Sequence, residues 1–165
     1  TIFKLILGDY EPWAGEVHVW GVDAAQLAPQ ARRRFVGHVD QAFRAVPGTV
    51  ADQITLGDPS ISREEMAQAA QLAGIGAALE ALPQGYDTPY AEGLLSQGQT
   101  QLLSIARAVA ANPKLLLLDE ITANLDSGTE QQVMEALRRA SQNRAVLSIS
   151  HRLYEQSGQG RIVQI

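Results

Sequence analysis

The chain has 165 residues, 45% of them apolar and 19% charged, which suits a single globular α/β domain with one hydrophobic core. A net charge of −5 argues against nucleic acid as the main partner, because phosphate neutralisation needs a basic surface. The absence of cysteine excludes disulfides, thiolate catalysis and cysteine-based zinc sites, and no apolar stretch approaches the ~20 residues of a membrane-spanning helix. No signal peptide pattern is visible, and a chain that starts at Thr1 instead of Met is expected to be a piece of something longer.

In chain order, Ile2, Phe3, Leu5 and Ile6 followed by Gly8 read as the tail of a helix stopped by a glycine. Glu16 to Trp20 alternates as a strand, and Gly21 to Gln30 reads as a polar connection. The Arg32-Arg33-Arg34 run reads as a solvated turn before the next strand, Phe35 to Val39, which leads into Asp40-Gln41. From Gly48 to Asn112 helical patterns dominate. Ser62 with Glu65 forms a capping box ahead of an alanine-rich helix through Leu72, and Pro83, Gly85 and Asp87-Thr88-Pro89 mark a loop. Ser96 with Gln99 forms a second capping box, after which Leu102, Leu103, Ile105, Ala106 and Val109 make one apolar face. Leu115 to Leu118 is a continuous apolar run, as expected of a strand buried on both faces in a parallel sheet. Ser127 with Glu130 reads as a third capping box, and Ala145 to Ile149 as another buried strand. Strand, helix and strand in this order predict a parallel sheet with a helical insertion.

Four features carry chemistry. Asp119-Glu120 closes an apolar strand where open α/β sheets bind ligands; Asp119 could hold Mg²⁺ through water and Glu120 could polarise an attacking water. Taken alone, the pair also reads as an ordinary start of a loop. Leu95-Ser96-Gln97-Gly98-Gln99 offers the free N–H groups and positive end of a helix to a phosphate, or is a plain cap. Gln41 and His151 each follow a strand and read either as contacts to metal, water or phosphate, or as satisfied polar residues at strand ends.

In order, Gln41, Leu95 to Gln99, Leu118-Asp119-Glu120, Ala123-Asn124-Leu125-Asp126 and Ser150-His151 resemble the ATP-binding cassette family along nearly the whole chain. Connecting segments such as Gly48-Thr49-Val50, Leu82 to Thr88 and Ile105-Ala106-Arg107-Ala108 share the resemblance. It implies a P-loop NTPase (RecA-like) fold, a parallel-sheet core with an inserted α-helical subdomain, incomplete at the N-terminus. Residues 1–47 and 113–165 would form the core and 48–112 the helical subdomain. Asp119, with Gln41, would position Mg²⁺, Glu120 would act as general base, and His151 would contact the γ-phosphate. Ser96, Gln97, Gly98 and Gln99 would grip ATP held by a second ATP-binding domain in a head-to-tail dimer, and Asp126 would shape the seam. Such catalysis is positioning plus charge stabilisation.

The sequence departs from the family pattern in four places. The phosphate loop G-x-x-x-x-G-K-[ST] is absent, Thr1 looks like the residue after it, and neither of the two lysines, Lys4 and Lys114, has its glycine spacing. These residues alone are therefore expected to bind ATP weakly and not to turn it over. Gln97 stands where a glycine is commoner, without removing the cap or Gly98. The Glu92 to Leu95 loop is shorter than its counterpart in many exporters, which the resemblance implies meets membrane-domain coupling helices. Few residues separate His151 from the strand expected at Gly160 to Val163. The resemblance implies an ABC transporter ATPase, exporter-like, with a transmembrane domain fused upstream and a place at the cytoplasmic face of the membrane. The alternatives are a soluble cassette ATPase and a non-catalytic interaction module.

Overall fold

The computed structural model describes residues 2–119, 121 and 125–149. Helix α1 (Ile2–Ile6) buries Phe3 and closes at Gly8, whose φ of 69° is a left-handed stop that a β-carbon would strain. Strands β1 (His18–Val19) and β2 (Val22–Asp23) form a small antiparallel hairpin, so the strand expected over Glu16 to Trp20 is only two residues long. Trp20 and Gly21, both at positive φ, turn the chain there. The expected polar connection holds β2, a 3₁₀ turn capped by Asp23 and helix α2 (Pro29–Arg33), which starts on a proline as a first helical turn allows.

Strand β3 (Val36–Val39) pairs in parallel with β4 (Leu115–Asp119), which pairs in parallel with β5 (Ala145–Ile149). Between β3 and β4 lie α3 (Val50–Thr55), α4 (Arg63–Leu72), α5 (Gly76–Glu80) and α6 (Gln97–Val109). Helix α7 (Ser127–Ala140) links β4 to β5. The α/β class, the parallel sheet and the helical insertion agree with the sequence-based expectation.

The β3–β4 register gives the sheet two different faces. Gly37, Val39, Leu116 and Leu118 face the large core that α3 to α7 fill, where Ile54, Leu79, Leu103, Ile105 and Val133 are fully buried. Val36 and Leu117 face a smaller cluster with Phe3, Val19 and Ala24. Leu116 and Leu117 are both 0% exposed, so β4 is covered on both sides, as its unbroken apolar run requires.

Three local expectations are corrected. The cap of α7 is Asp126, not Ser127: its Oδ1 accepts from the N–H groups of Gly128 and Thr129 at 3.1 Å, and Ser127 becomes the first helical residue. Strand β5 is not buried; all five residues are exposed, with Val146, Leu147 and Ile149 near 40%, because among the described residues it has only β4 as a neighbour. The arginine run is only partly a solvated turn: Arg34 is exposed and bonds Ser60, but Arg32 and Arg33 are half-buried in α2. Arg32 Nη2 donates to the carbonyls of Ala24 and Leu27 at 3.2 and 2.9 Å, and Arg33 donates to the carbonyls of Thr55, Ile54 and Arg107. Arg33 also pairs with the buried carboxylate of Asp58 at 3.8 Å, so this one side chain, which looks solvated in sequence, ties α2 to α3 and α6.

Candidate functional site

Because β3 and β4 are parallel, their C-terminal ends lie side by side, and residues of one parity share a face. His38 pairs in register with Leu117; Asp40 is the first residue beyond β3, two positions on from His38, and Asp119 ends β4 two positions on from Leu117. The ligand-capable atoms of His38, Asp40 and Asp119 lie within 4.8 Å of one another, and all three residues are half-buried. Carboxylate oxygens at a strand end are the donors a hard cation such as Mg²⁺ prefers, so Asp119 fits the expected role. The site is open to the C-terminal edge, where α/β sheets take ligands.

His38 Nε2 is buried and has no hydrogen-bond partner, while the ring meets Phe3 edge-on at 5.9 Å and 83°. Burial lowers the His38 pKa below the ordinary imidazole value, against the opposing pull of Asp40, Asp119 and Asp9, so the ring is neutral at pH 7.

Gln41 follows β3 at an exposed turn. Its carbonyl accepts from Gln101 Nε2 of α6 at 3.5 Å, which links the end of β3 to the helix that Ser96 starts. Ser96 Oγ accepts from the Gln99 N–H at 3.2 Å and Gln99 Oε1 accepts from the Ser96 N–H at 2.9 Å, closing the expected capping box. The N–H groups of Gln97 and Gly98 precede the first intrahelical bond, Thr100 N–H to Ser96 O at 2.8 Å, and so present the positive end of a 13-residue helix to a ligand. A β-carbon at Gly98 would collide with Thr129 Cγ2, so the start of α6 packs directly on the first turn of α7. Asp126 lies one turn away, its carboxylate held below the ordinary range by the Thr129 and Gly128 donors. The chain thus gathers Ser96, Gln97, Gly98, Gln99 and Asp126 at one junction and Asp119 at another. Thr1, Glu120 and His151 lie outside the described residues, as do Ala123-Asn124 and the strand expected at Gly160 to Val163.

Sequence reasoning missed His38 and Asp40, and it also missed the arginine clamp behind Gln41. The segment after Gln41 is pinned from below by Gln53, which is fully buried and bonds Val46 through both amide atoms at 2.9 and 2.7 Å. Arg107 of α6 stacks on Phe43 at 4.1 Å, donates to the Arg44 carbonyl at 2.8 Å and to the Gln53 carbonyl and Oε1 at 2.5 and 3.3 Å. Burial, with help from Arg33, pushes its pKa down to about 10, which leaves it charged at neutral pH. A cleft of about 390 Å³ opens beside this clamp, lined by Arg33, His38, Asp40, Phe43 and Arg107 among others.

Replacing Arg107→Met keeps the stem but strands two carbonyls and one amide oxygen, so a loss of about 2 kcal/mol in urea unfolding is expected. Arg107→Lys is expected to recover little of it, because one ammonium cannot span the fork. Unfolding midpoints for the two variants that match the parent's would show that the clamp carries no weight.

Compared with known proteins, the protein-family model described as ABC transporter matches residues 1–123. The chain is 40% identical over 158 residues to the mitochondrial ATP-binding cassette sub-family B member 10 of Mus musculus, covering 93% of this chain and 22% of that protein. It is 37% identical over 165 residues to the alpha-hemolysin translocation ATP-binding protein HlyB of Escherichia coli O157:H7, covering 99% of this chain and 23% of that protein. The solved structure of a bacterial Atm1-family ABC exporter with ATP bound superposes with a TM-score of 0.74 at 38% identity, over 92% of this chain and 27% of that one. The chain therefore spans about a quarter of the length of the relatives it matches.

Proposed function

The chain belongs to the ABC transporter family, and on that premise we propose that it is the ATP-binding and ATP-hydrolysing part of an exporter-like transporter. The observation that carries the reading is Asp119 at the C-terminal end of the buried strand β4, in a chain whose capped helix α6 presents Ser96 to Gln99 as a phosphate seat. Among the described residues no helix is long and apolar enough to cross a membrane. The reading gives the passage for substrate to a transmembrane partner. We place that partner in the same polypeptide, as the names of some relatives pair ATP binding with a permease, and the chain itself at the cytoplasmic face.

In this reading Asp119 and Gln41 hold Mg²⁺, Thr1 lies beside the phosphates, and Glu120 takes the proton of the attacking water while His151 orients it. Bound Mg²⁺ supplies charge neutralisation on the phosphates. Ser96, Gln97, Gly98 and Gln99 serve ATP held on a second copy in a head-to-tail pair, and Asp126 holds the seam by fixing the first turn of α7 against Gly98. Residues 48–112 act as the helical subdomain, and the Gln101–Gln41 link passes the state of the nucleotide to it. No lysine among these 165 residues has the phosphate-loop spacing, so turnover needs that loop supplied alongside them.

The test is a Glu120→Gln variant of the transporter that carries this chain. It is expected to bind ATP and accumulate as an ATP-held pair, detected by light scattering, since the base is lost while the binding groups remain. A variant that hydrolyses ATP like the parent would overturn the reading.

A further inference from the structure

We propose that Arg107 is a positioning residue for ATP hydrolysis: from α6 it fixes the segment that follows β3, and through that segment it fixes Gln41. The role of Gln41 itself rests on the reading above.

The segment has little of its own to hold it. Among the described residues, 42–47 lie in no helix or strand and make no backbone–backbone hydrogen bond, so side chains from α3 and α6 hold them. Gln53 of α3 bonds Val46 through both amide atoms, and Arg107 donates to the Arg44 carbonyl at 2.8 Å and lies over the Phe43 ring at 4.1 Å. Arg107 also donates to Gln53 Oε1 at 3.3 Å, the same atom that accepts from the Val46 N–H at 2.9 Å. One guanidinium thus reaches both holds. Gln101, six residues earlier on the same helix, donates to the Gln41 carbonyl at 3.5 Å. The segment is therefore strapped to α6 at 41 and again at 43–44, while the Gln41 side chain is exposed and bonds no described residue.

The chemistry at position 107 is ill suited to packing alone. Arg107 is the one charged residue of α6 and is half-buried. Among the described residues its partners are carbonyls, an amide oxygen and an aromatic ring, with no carboxylate. Taking a cation out of water without a counter-ion is costly, and an apolar side chain would fill the same space without that cost. What the guanidinium adds is a fork that grips two backbone carbonyls on different elements. A glutamine that must meet metal and phosphate at one point gains from such a hold, because a misplacement of about 1 Å can cost about 10²-fold in rate.

The experiment measures kcat for ATP hydrolysis by the transporter that carries this chain, as a double-mutant cycle of Arg107→Met and Gln41→Ala. Each single variant is expected to lose about tenfold in kcat, and the double variant no more than about twofold beyond the worse single, because Arg107 acts through Gln41. Arg144→Met is the control. Arg144 grips Pro113, Ala140 and Asn112 at the opposite end of the sheet, so its loss is expected to lower the melting midpoint yet keep kcat within about twofold. An arginine that served only stability would behave as Arg144 does. If Arg107→Met cannot be purified folded, Arg107→Lys, which keeps charge and stem but not the fork, takes its place in the cycle with the same expectations. The proposal is overturned if the Arg107 variant turns over like the parent, if its loss multiplies with that of Gln41→Ala, if Gln41→Ala alone turns over like the parent, or if Arg144→Met loses as much. Each of these leaves the ATPase reading standing, since that reading fails on a Glu120→Gln variant that hydrolyses like the parent.

Discussion

Asp119→Ala is expected to abolish ATP turnover by the transporter that carries this chain, by about 10²-fold or more, while leaving the fold intact. The loss follows from position: Asp119 ends β4 and offers its carboxylate at the edge of the sheet, where the metal that organises the phosphates would sit. Removing one preorganised electrostatic partner from a reacting centre costs about 10²- to 10³-fold in other enzymes, and a metal ligand acts on every charge at once. The fold is spared because the residues that hold β4 in place are Leu116, Leu117 and Leu118, all of them buried, and not the half-buried aspartate that follows. The thermal midpoint is therefore expected to move by no more than about 4 °C. Steady-state hydrolysis and a melting curve on one preparation check both halves. Turnover within tenfold of the parent would remove Asp119 from the machinery, and a collapse in the midpoint would make the residue structural.

Gly37→Val is expected to destabilise the chain by about 3 kcal/mol or more, a large part of what a domain this size has to lose. A β-carbon there would overlap the Ala108 carbonyl of α6 and stand 2.8 Å from Leu116 Cδ2 and 2.9 Å from Pro113 Cγ. The side-chain atoms can give way, but the carbonyl belongs to the helix backbone and cannot. Helix α6 thus lies directly on β3 because position 37 has no side chain. Gly57→Ala is the control. It has a φ of 70° but nothing within 4 Å, so it should cost only the strain of the left-handed backbone, about 1 kcal/mol. Equal unfolding free energies for the two variants would show that the close approach of α6 has no energetic weight. The prediction bears on function too, since α6 carries both Ser96 to Gln99 and the Gln101 contact to Gln41.

Features that depend on neighbours in sequence were legible in the chain itself. The capping boxes at Ser62 and Ser96 form as read, because a side chain three residues from its target needs no tertiary help. The same locality explains the one cap that was misplaced. Asp126 and Ser127 both present an oxygen to the start of α7, and spacing alone does not say which adopts the extended backbone of a cap; the structure gives it to Asp126. The Leu115 to Leu118 run reads correctly as a doubly covered strand, because a strand with no polar position has no face to offer water. Ala145 to Ile149 has a similar composition yet is exposed, since burial of a strand depends on how many neighbours it has and not on its own residues.

By itself, then, the sequence determined the family, the α/β class, the parallel sheet and the start of the helix at Ser96. Motif order, apolar runs and caps are all written in residues close together along the chain. Only the tertiary structure decided that His38 and Asp40 stand beside Asp119, that Arg33 and Arg107 serve as half-buried clamps, and that Gly98 seats α6 on Thr129. Each of these joins residues from separate elements. The partner is selected by strand register and packing distance, and neither leaves a periodic mark in the sequence.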